Sequence, residues 1–425
     1  MKYLKSSLLK NSIIYTVTDA INKSVPFLIL PVLSYYLTPK DYGIITNYNV
    51  ILSIIILLVP LGANFILPTI FYKLSKLEFS HYVGNVFFVG LLTAAVLLII
   101  VLLGHSLLLK QFDFSLQLQL GIVVMGLSTL FTTVHLSILR LQEKATFFGI
   151  YGILQSGVNI GLSLLLVVVL HRNWEGRVEG IFYSTILFGI YSLYYLYKNK
   201  YVSIVISKKI IIECILFGLP LIPHVLSFWL RSSADRLIIS SLIGDAETGL
   251  YATGFQFGLL VSFLTVSFNN AFSPHIYKSL SVSESDLLEQ NKAKLVKITY
   301  WVMLALGVIS LFFVVFSNLF LDYIISPKYA GAKKYIPYAL ISQLFQGFYL
   351  LFVNYIFVVK KTKALAVITI GCSFLQVLFT YGFVVAFGAI GAAYSNVLIS
   401  FLIFILVLRL SQKVYPMNWF GFKSQ

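Results

Sequence analysis

Five charged side chains stand inside long apolar stretches of this sequence: Asp19 and Lys23 in the first stretch, and Arg231, Asp235 and Arg236 just past the midpoint. A charge in the hydrocarbon region of a bilayer is costly, and such residues usually face a bundle interior and serve a purpose. Asp19 and Lys23 are four residues apart, as are Arg231 and Asp235, so each pair can meet on one helix face. His224 precedes Arg231 by seven residues and shares its face. This set offers anion binding. A guanidinium presents a fork of donors matched to phosphate oxygens, and a lysine adds a point charge. Asp19, Asp235 and His224 can hold the cations in place, or exchange H+ or Na+ to drive turnover. The competing structural reading makes Asp19–Lys23 and Arg231–Asp235 neutral packing pairs, with Arg236 snorkelling toward an interface.

Positioning such groups requires long apolar helices, and the composition supplies them. Hydrophobic residues make up 59% of the 425-residue chain and charged residues 11%, against about 25% in soluble proteins. Mean hydropathy is +0.91. Apolar runs long enough to cross about 30 Å of hydrocarbon as helix recur from end to end, and the alternating segments of a β-barrel do not. Spans are expected at 11–37, 43–71, 82–109, 117–139, 146–170, 180–197, 215–242, 249–277, 295–320, 335–359, 364–387 and 390–410. The expected fold is an all-α integral membrane protein of about twelve transmembrane helices. By helical rise, and with span seven taken as 217–243 from its match to 11–37, Lys23 and Arg231 then lie roughly 18 and 21 Å into their spans, near the midplane. Pro26, Pro31, Pro220 and Pro223 can kink spans one and seven, as bending gate helices require.

Charge placement orients the chain. The net charge is +16, but the basic residues sit in short segments between apolar runs, which argues against nucleic acid as a partner. Of 31 Lys and Arg, 21 fall on the side that holds both termini, Arg140 and Lys423 among them. Seven, including Arg172 and Arg177, fall on the other. The positive-inside rule puts both termini in the cytoplasm. The longest extramembrane segments, around 198–214 and 278–294, are too short for a catalytic domain. The 5–6 loop at His171–Arg177 is too short for the catalytic outer loop of a polysaccharide polymerase or glycosyltransferase. No phosphate-binding Gly-Lys-Ser/Thr loop appears. Cys214 and Cys372 read as structural, and the first span lacks a signal-peptide cleavage site. No metal site or cofactor is expected. Asn22, Gln155, Asn159, Gln256, Asn269, Asn270, Asn354, Gln376 and Asn396 either line a hydrophilic lumen or hydrogen-bond between helices.

The chain also repeats itself. At an offset of 206, Gly43 falls on Gly249, Asp41 on Glu247, Asn64 on Asn270 and Pro68 on Pro274; at 211, Gly180-Ile-Phe-Tyr-Ser184 falls on Gly391-Ala-Ala-Tyr-Ser395. Six spans per half is even, so the halves, 1–205 and 206–425, are parallel repeats, an architecture of transporters with a central cavity between them.

Leu37-Thr-Pro-Lys-Asp-Tyr-Gly43 resembles the signature of the polysaccharide transporter, or O-antigen flippase, family. So do Phe217-Gly-Leu-Pro-Leu-Ile-Pro223, Asp235-Arg236-Leu-Ile-Ile, Gly249-Leu-Tyr251, Pro274, Ser326-Pro-Lys-Tyr329 and Gly388-Ala-Ile-Gly-Ala392. The resemblance runs over essentially the whole chain. It implies the fold shared with multidrug extrusion transporters, and a flippase that moves an undecaprenyl-pyrophosphate-linked oligosaccharide to the outer leaflet of the bacterial inner membrane, for O-antigen, lipopolysaccharide or capsule-type synthesis. Membrane lipids and polysaccharide assembly proteins are the other expected partners. On this reading Lys23, Arg231 and Arg236 contact pyrophosphate. The rival of the same fold, a drug/cation antiporter, should favour an acid-dominated cavity, whereas here the intramembrane cations outnumber the acids.

Overall fold

The computed structural model describes residues 2–112, 114–282 and 284–419. Of the cations counted above, Lys423 lies outside them, and so do the side chains of Lys2, Lys5 and Lys10. The described backbone is helical nearly throughout. It comprises α1 (Lys2–Tyr36), α2 (Pro39–Leu58), the single turn α3 (Leu67–Ile70), α4 (Lys76–Phe112) and α5 (Leu116–Leu141). There follow α6 (Ala145–Leu164), extended by a π turn to Val169, α7 (Asn173–Lys198), α8 (Lys208–Gly218) and α9 (Ile222–Leu242). The last six are α10 (Asp245–Gln256), α11 (Gly258–Leu280), α12 (Ser285–Ile324), α13 (Ile336–Val358), α14 (Thr362–Phe387) and α15 (Ile390–Val414).

Ten helical stretches among the described residues are long and apolar enough to cross a membrane. The other two expected spans are α1, of 35 residues, and α7, of 26, whose first turns carry Glu175, Arg177 and Glu179. The protein is an all-α, multi-pass membrane protein whose helices follow the twelve expected spans in two repeats. By packing it divides into two compact units, Met1–Trp229 and Leu230–Gln425. The division at 205/206 is one of sequence symmetry.

Local chemistry explains the element boundaries. Thr38 caps α2, with Pro39 in the first turn: the Asp41 amide donates to the Thr38 hydroxyl, and the Asp41 carboxylate accepts from the Thr38 amide at 2.8 Å. The signature stretch at 37–43 is thus a capping box. Its repeat partner Glu247 has another task, accepting from Tyr335 and Lys334. The repeated glycines do match in function. A Cβ on Gly180 would sit 2.8 Å from the Ser163 backbone, and one on Gly391 would sit 2.0 Å from the Phe383 carbonyl oxygen. In each half, therefore, the sixth span meets the end of the fifth at a contact only glycine permits. Span seven is interrupted at Leu219–Leu221 by a 3-10 turn that holds Pro220, with Pro223 just inside α9. In contrast, α1 continues through Pro26 and Pro31.

Several segments differ from expectation. The 43–71 span is made of α2, a 3-10 turn at Ala63–Ile66 and α3, and α8 starts at Lys208, inside the expected 198–214 segment. α12 starts at Ser285 rather than 295 and runs 40 residues, about 60 Å, so most of the expected 278–294 loop is helix. α7 starts at Asn173, so Arg177 lies inside a helix and not in a loop. Each unit has its own core. In the first, Leu33, Tyr48, Val59, Val83 and Met125 are buried together; in the second, Ile276, Leu351, Tyr355, Ile399 and Val407 are.

Candidate functional site

In the first unit, α1 carries Asp19 and Lys23, and the structure separates them. Asp19 pairs with Arg140 at 3.5 Å. The Arg140 guanidinium also lies over the rings of Phe148 and Tyr15, at 4.9 and 5.6 Å. This corrects the expected i,i+4 pair: a planar cation lying over two rings at the end of α5 meets the carboxylate instead of the flexible lysine one turn on. The pair borders a cavity of about 360 Å³ with Asn64, Thr133 and Ser137. Lys23 is exposed and, among the described residues, has no acid within 4.0 Å. His224 is exposed on the first turn of α9.

A second cavity in the same unit, of about 440 Å³, holds a residue that hydropathy had assigned to the outer loop. Arg177 is 6% exposed. One guanidinium nitrogen donates to Asn159 Oδ1 at 2.6 Å and to Ser163 Oγ at 2.5 Å. Asn22, Asn49 and Gln155 line the same space. Part of the expected polar lumen is therefore present here, with Asn22, Gln155 and Asn159 in it, but built around a cation that the apolar windows excluded. The signal was available in the periodicity: Arg177, Ile181 and Ser184 or Thr185 fall at helical spacing and all face the cavity.

In the second unit the acid is Asp235, 3% exposed. Its carboxylate accepts from the Tyr251 hydroxyl, from Asn396 Nδ2 at 3.1 Å and from the Arg236 backbone amide at 2.9 Å, and Arg236 Nη1 stands at 3.4 Å. Asn396 also donates to the Tyr251 hydroxyl at 2.9 Å. The expected Arg231–Asp235 pair is thus replaced by Arg236–Asp235. Once tyrosine and asparagine from α10 and α15 turn the acid toward them, the neighbouring arginine is the cation on that side. Arg231 is half-buried, within electrostatic reach of Tyr349 on α13 and Cys372 on α14. The sequence placed Tyr251 in the Gly249-Leu-Tyr251 signature but gave it no role, because a tyrosine in an apolar span reads as packing until its acidic partner is known.

Other intramembrane amides join helices. Asn354 donates to Asn269 Oδ1 at 2.8 Å and accepts from Ser273 at 2.7 Å, tying α13 to α11. Gln376 reaches Thr380 and Ser395 at 3.0 and 3.3 Å, tying α14 to α15. Asn270 is exposed.

Comparison with known proteins agrees with this architecture. The profile of the polysaccharide biosynthesis protein family matches residues 8–280, and the MatE profile matches 220–382. Protein 1 of the Lsg locus of Haemophilus influenzae is 28% identical over 368 residues, covering 84% of this chain and 86% of its own. A multidrug resistance MATE family transporter of the MOP superfamily, in its inward-facing conformation, superposes with a TM-score of 0.73 at 17% identity, over 92% of this chain and 94% of its own. A MOP superfamily transporter from Pyrococcus furiosus, described as having a binding pocket of reverse polarity, gives 0.63 at 16% identity over 95% of each chain. With a family profile matched over residues 8–280, well more than half of its length, the chain belongs to the polysaccharide biosynthesis protein family, and it shares the fold of the MATE transporters.

Proposed function

We propose that this protein flips an undecaprenyl-pyrophosphate-linked oligosaccharide from the cytoplasmic to the outer leaflet of the bacterial inner membrane by alternating access, for O-antigen or capsule-type polysaccharide synthesis, with both termini in the cytoplasm. Lys23 carries the reading. It lies about 20 Å from the end of α1 by helical rise, exposed and, among the described residues, with no acid beside it. A cation at that depth calls for an anionic ligand, and Lys23, Arg231 and Arg236 are the groups proposed to meet the pyrophosphate. Asp19 and Asp235 each have an arginine partner, which supports charge pairing as their role and weakens the case for an acid-dominated drug site. H+ or Na+ coupling through Asp19, Asp235 or His224 belongs to the same proposal, as do gating bends at Pro26, Pro31, Pro220 and Pro223.

The MatE match over 220–382 favours a second reading, a drug/cation antiporter. Deletion separates the two. The flippase reading expects lipid-linked oligosaccharide to accumulate on the cytoplasmic leaflet while its synthesis continues, with unchanged drug susceptibility. Normal surface glycan in a deletion strain without a redundant transporter would refute it. Orientation is tested by thiol labelling of Ile204→Cys and Asp245→Cys in a chain lacking Cys214 and Cys372. An impermeant reagent should label only position 245 in intact cells.

A further inference from the structure

The Arg177 cavity has no place in the pyrophosphate site proposed above, and its electrostatics are unbalanced. Arg177 is 6% exposed, and among the described residues no carboxylate lies within 4.0 Å of it. Two acids lie two residues away along the helix: Glu179 is engaged by Arg172 at 2.9 Å, and Glu175 is exposed, away from the buried guanidinium. Its recorded hydrogen-bond partners, Asn159 and Ser163, are neutral and share a single nitrogen, although a guanidinium has five N–H donors. A buried charge without a counter-charge is strongly disfavoured, yet here the cation adjoins about 440 Å³ of open space, within the usual range for small-molecule sites. The geometry points to an anion as the missing partner.

The remaining lining narrows its class. Asn22, Asn49, Gln155 and Asn159 bring four amides, Ser184 and Thr185 bring hydroxyls, and Pro26 and Ile181 give an apolar side. Amides and hydroxyls both donate and accept, as sugar hydroxyls require, and an apolar side suits the C–H face of a ring. A single arginine balances one negative charge and fits a carboxylate with two parallel bonds. A phosphate monoester carries about −1.5 to −2 at neutral pH and would leave this cavity with excess negative charge. We therefore infer that the first unit holds a glycan subsite centred on Arg177 that takes the carboxylate of an acidic sugar, of the uronic acid type. The inference rests on the transporter's cargo being a glycan.

The experiment is ligand binding by the purified full-length chain, followed by calorimetry and by thermal unfolding, with glucuronate, glucose, sodium chloride and inorganic pyrophosphate at equal ionic strength. Glucuronate should bind and raise the unfolding temperature, glucose and sodium chloride should bind at least tenfold more weakly, and pyrophosphate, which the site proposed at Lys23, Arg231 and Arg236 can take, should not compete with glucuronate. Arg177→Gln should weaken glucuronate at least about tenfold, as expected for a lost charge-assisted pair, and Arg177→Lys should lie between. Asn49→Ala, at an exposed amide of the lining, should weaken binding without lowering the unligated unfolding temperature, which keeps the inference testable if Arg177→Gln does not fold. Glucuronate binding unchanged in Arg177→Gln or Asn49→Ala, chloride binding as tightly as glucuronate, or glucuronate displaced by equimolar pyrophosphate, overturns it. Because binding is read without transport, a chain that binds glucuronate but flips nothing overturns the flippase reading alone. One that flips lipid-linked glycan but ignores glucuronate overturns only this subsite.

Discussion

Tyr251→Phe isolates the contact on which the second unit's buried acid depends. The ring should stay in place, because it is fully buried, stacked on Phe255 at 4.2 Å and edge-on to Tyr335 at 5.3 Å. Only the hydroxyl that donates to Asp235 is lost. A hydrogen bond to a charged group contributes about 1.5–3 kcal/mol, and burial favours the upper part of that range. Asn396 Nδ2 moderates the loss: it is shared between Asp235 and the tyrosine hydroxyl, at 3.1 and 2.9 Å, and can turn wholly to the carboxylate. The expected destabilisation is therefore about 2 kcal/mol, roughly thirtyfold in the unfolding equilibrium. It is measured by reversible unfolding in mixed micelles, within a double-mutant cycle with Asp235→Asn, where contacting partners should couple by at least about 0.5 kcal/mol. Strict additivity, or a Tyr251→Phe variant within about 0.5 kcal/mol of the parent, would show that the hydroxyl does not hold the carboxylate.

Three further outcomes follow from the same geometry. Lys23→Ala and Arg231→Ala should each lose transport at matched expression, with Arg231→Lys partly active because charge survives and the fork does not; full transport by both alanine variants removes these residues from the mechanism. Exchanging Asp19 and Lys23 should fail to restore a pair, since it sets a lysine against Arg140, whereas Asp19→Arg combined with Arg140→Asp should keep stability within about 1 kcal/mol, the scale of an exposed pair; the opposite ranking in an unfolding assay returns the pair to α1. Gly391→Ala should cost about 1–3 kcal/mol of stability as an overpacked contact, given a backbone oxygen 2.0 Å from the new methyl, and a neutral effect would mean that α14 and α15 slide apart freely.

The spans were legible because the membrane imposes one simple constraint. Backbone groups in hydrocarbon must be satisfied within the helix, so each crossing shows as an apolar run whatever its neighbours do. The repeat was legible where it encodes close packing, as at Gly180 and Gly391, since only a missing side chain lets the backbones meet. It was less informative at Asp41 and Glu247, where one acid caps its own helix and the other reaches Tyr335 and Lys334. Hydropathy failed at helix ends. Arg177 and the first turns of α12 are helical but polar, and an averaging window trims such residues into loops.

Charge pairing was the least legible feature, and the reason is geometric. Helical spacing identifies which groups can meet on one helix, but each acid here also faces neighbouring helices whose approach no spacing rule gives. Asp19 had Lys23 at i+4 and took Arg140, which lies 121 positions away. Asp235 had Arg231 at i−4 and took Arg236, together with Tyr251 and Asn396 from two other helices. In both cases the chosen partner is an arginine, and in both it has a second hold, on aromatic rings for Arg140 and on the Ser232 carbonyl for Arg236. At Asp19, a guanidinium already held on two rings loses less rotamer freedom on pairing than Lys23, whose whole side chain must be ordered, a difference on the order of 1 kcal/mol. That difference outweighs the advantage of being one turn away on the same helix, which is only about 0.3–0.5 kcal/mol. Lys23 is therefore left exposed because Asp19 has a better-held partner.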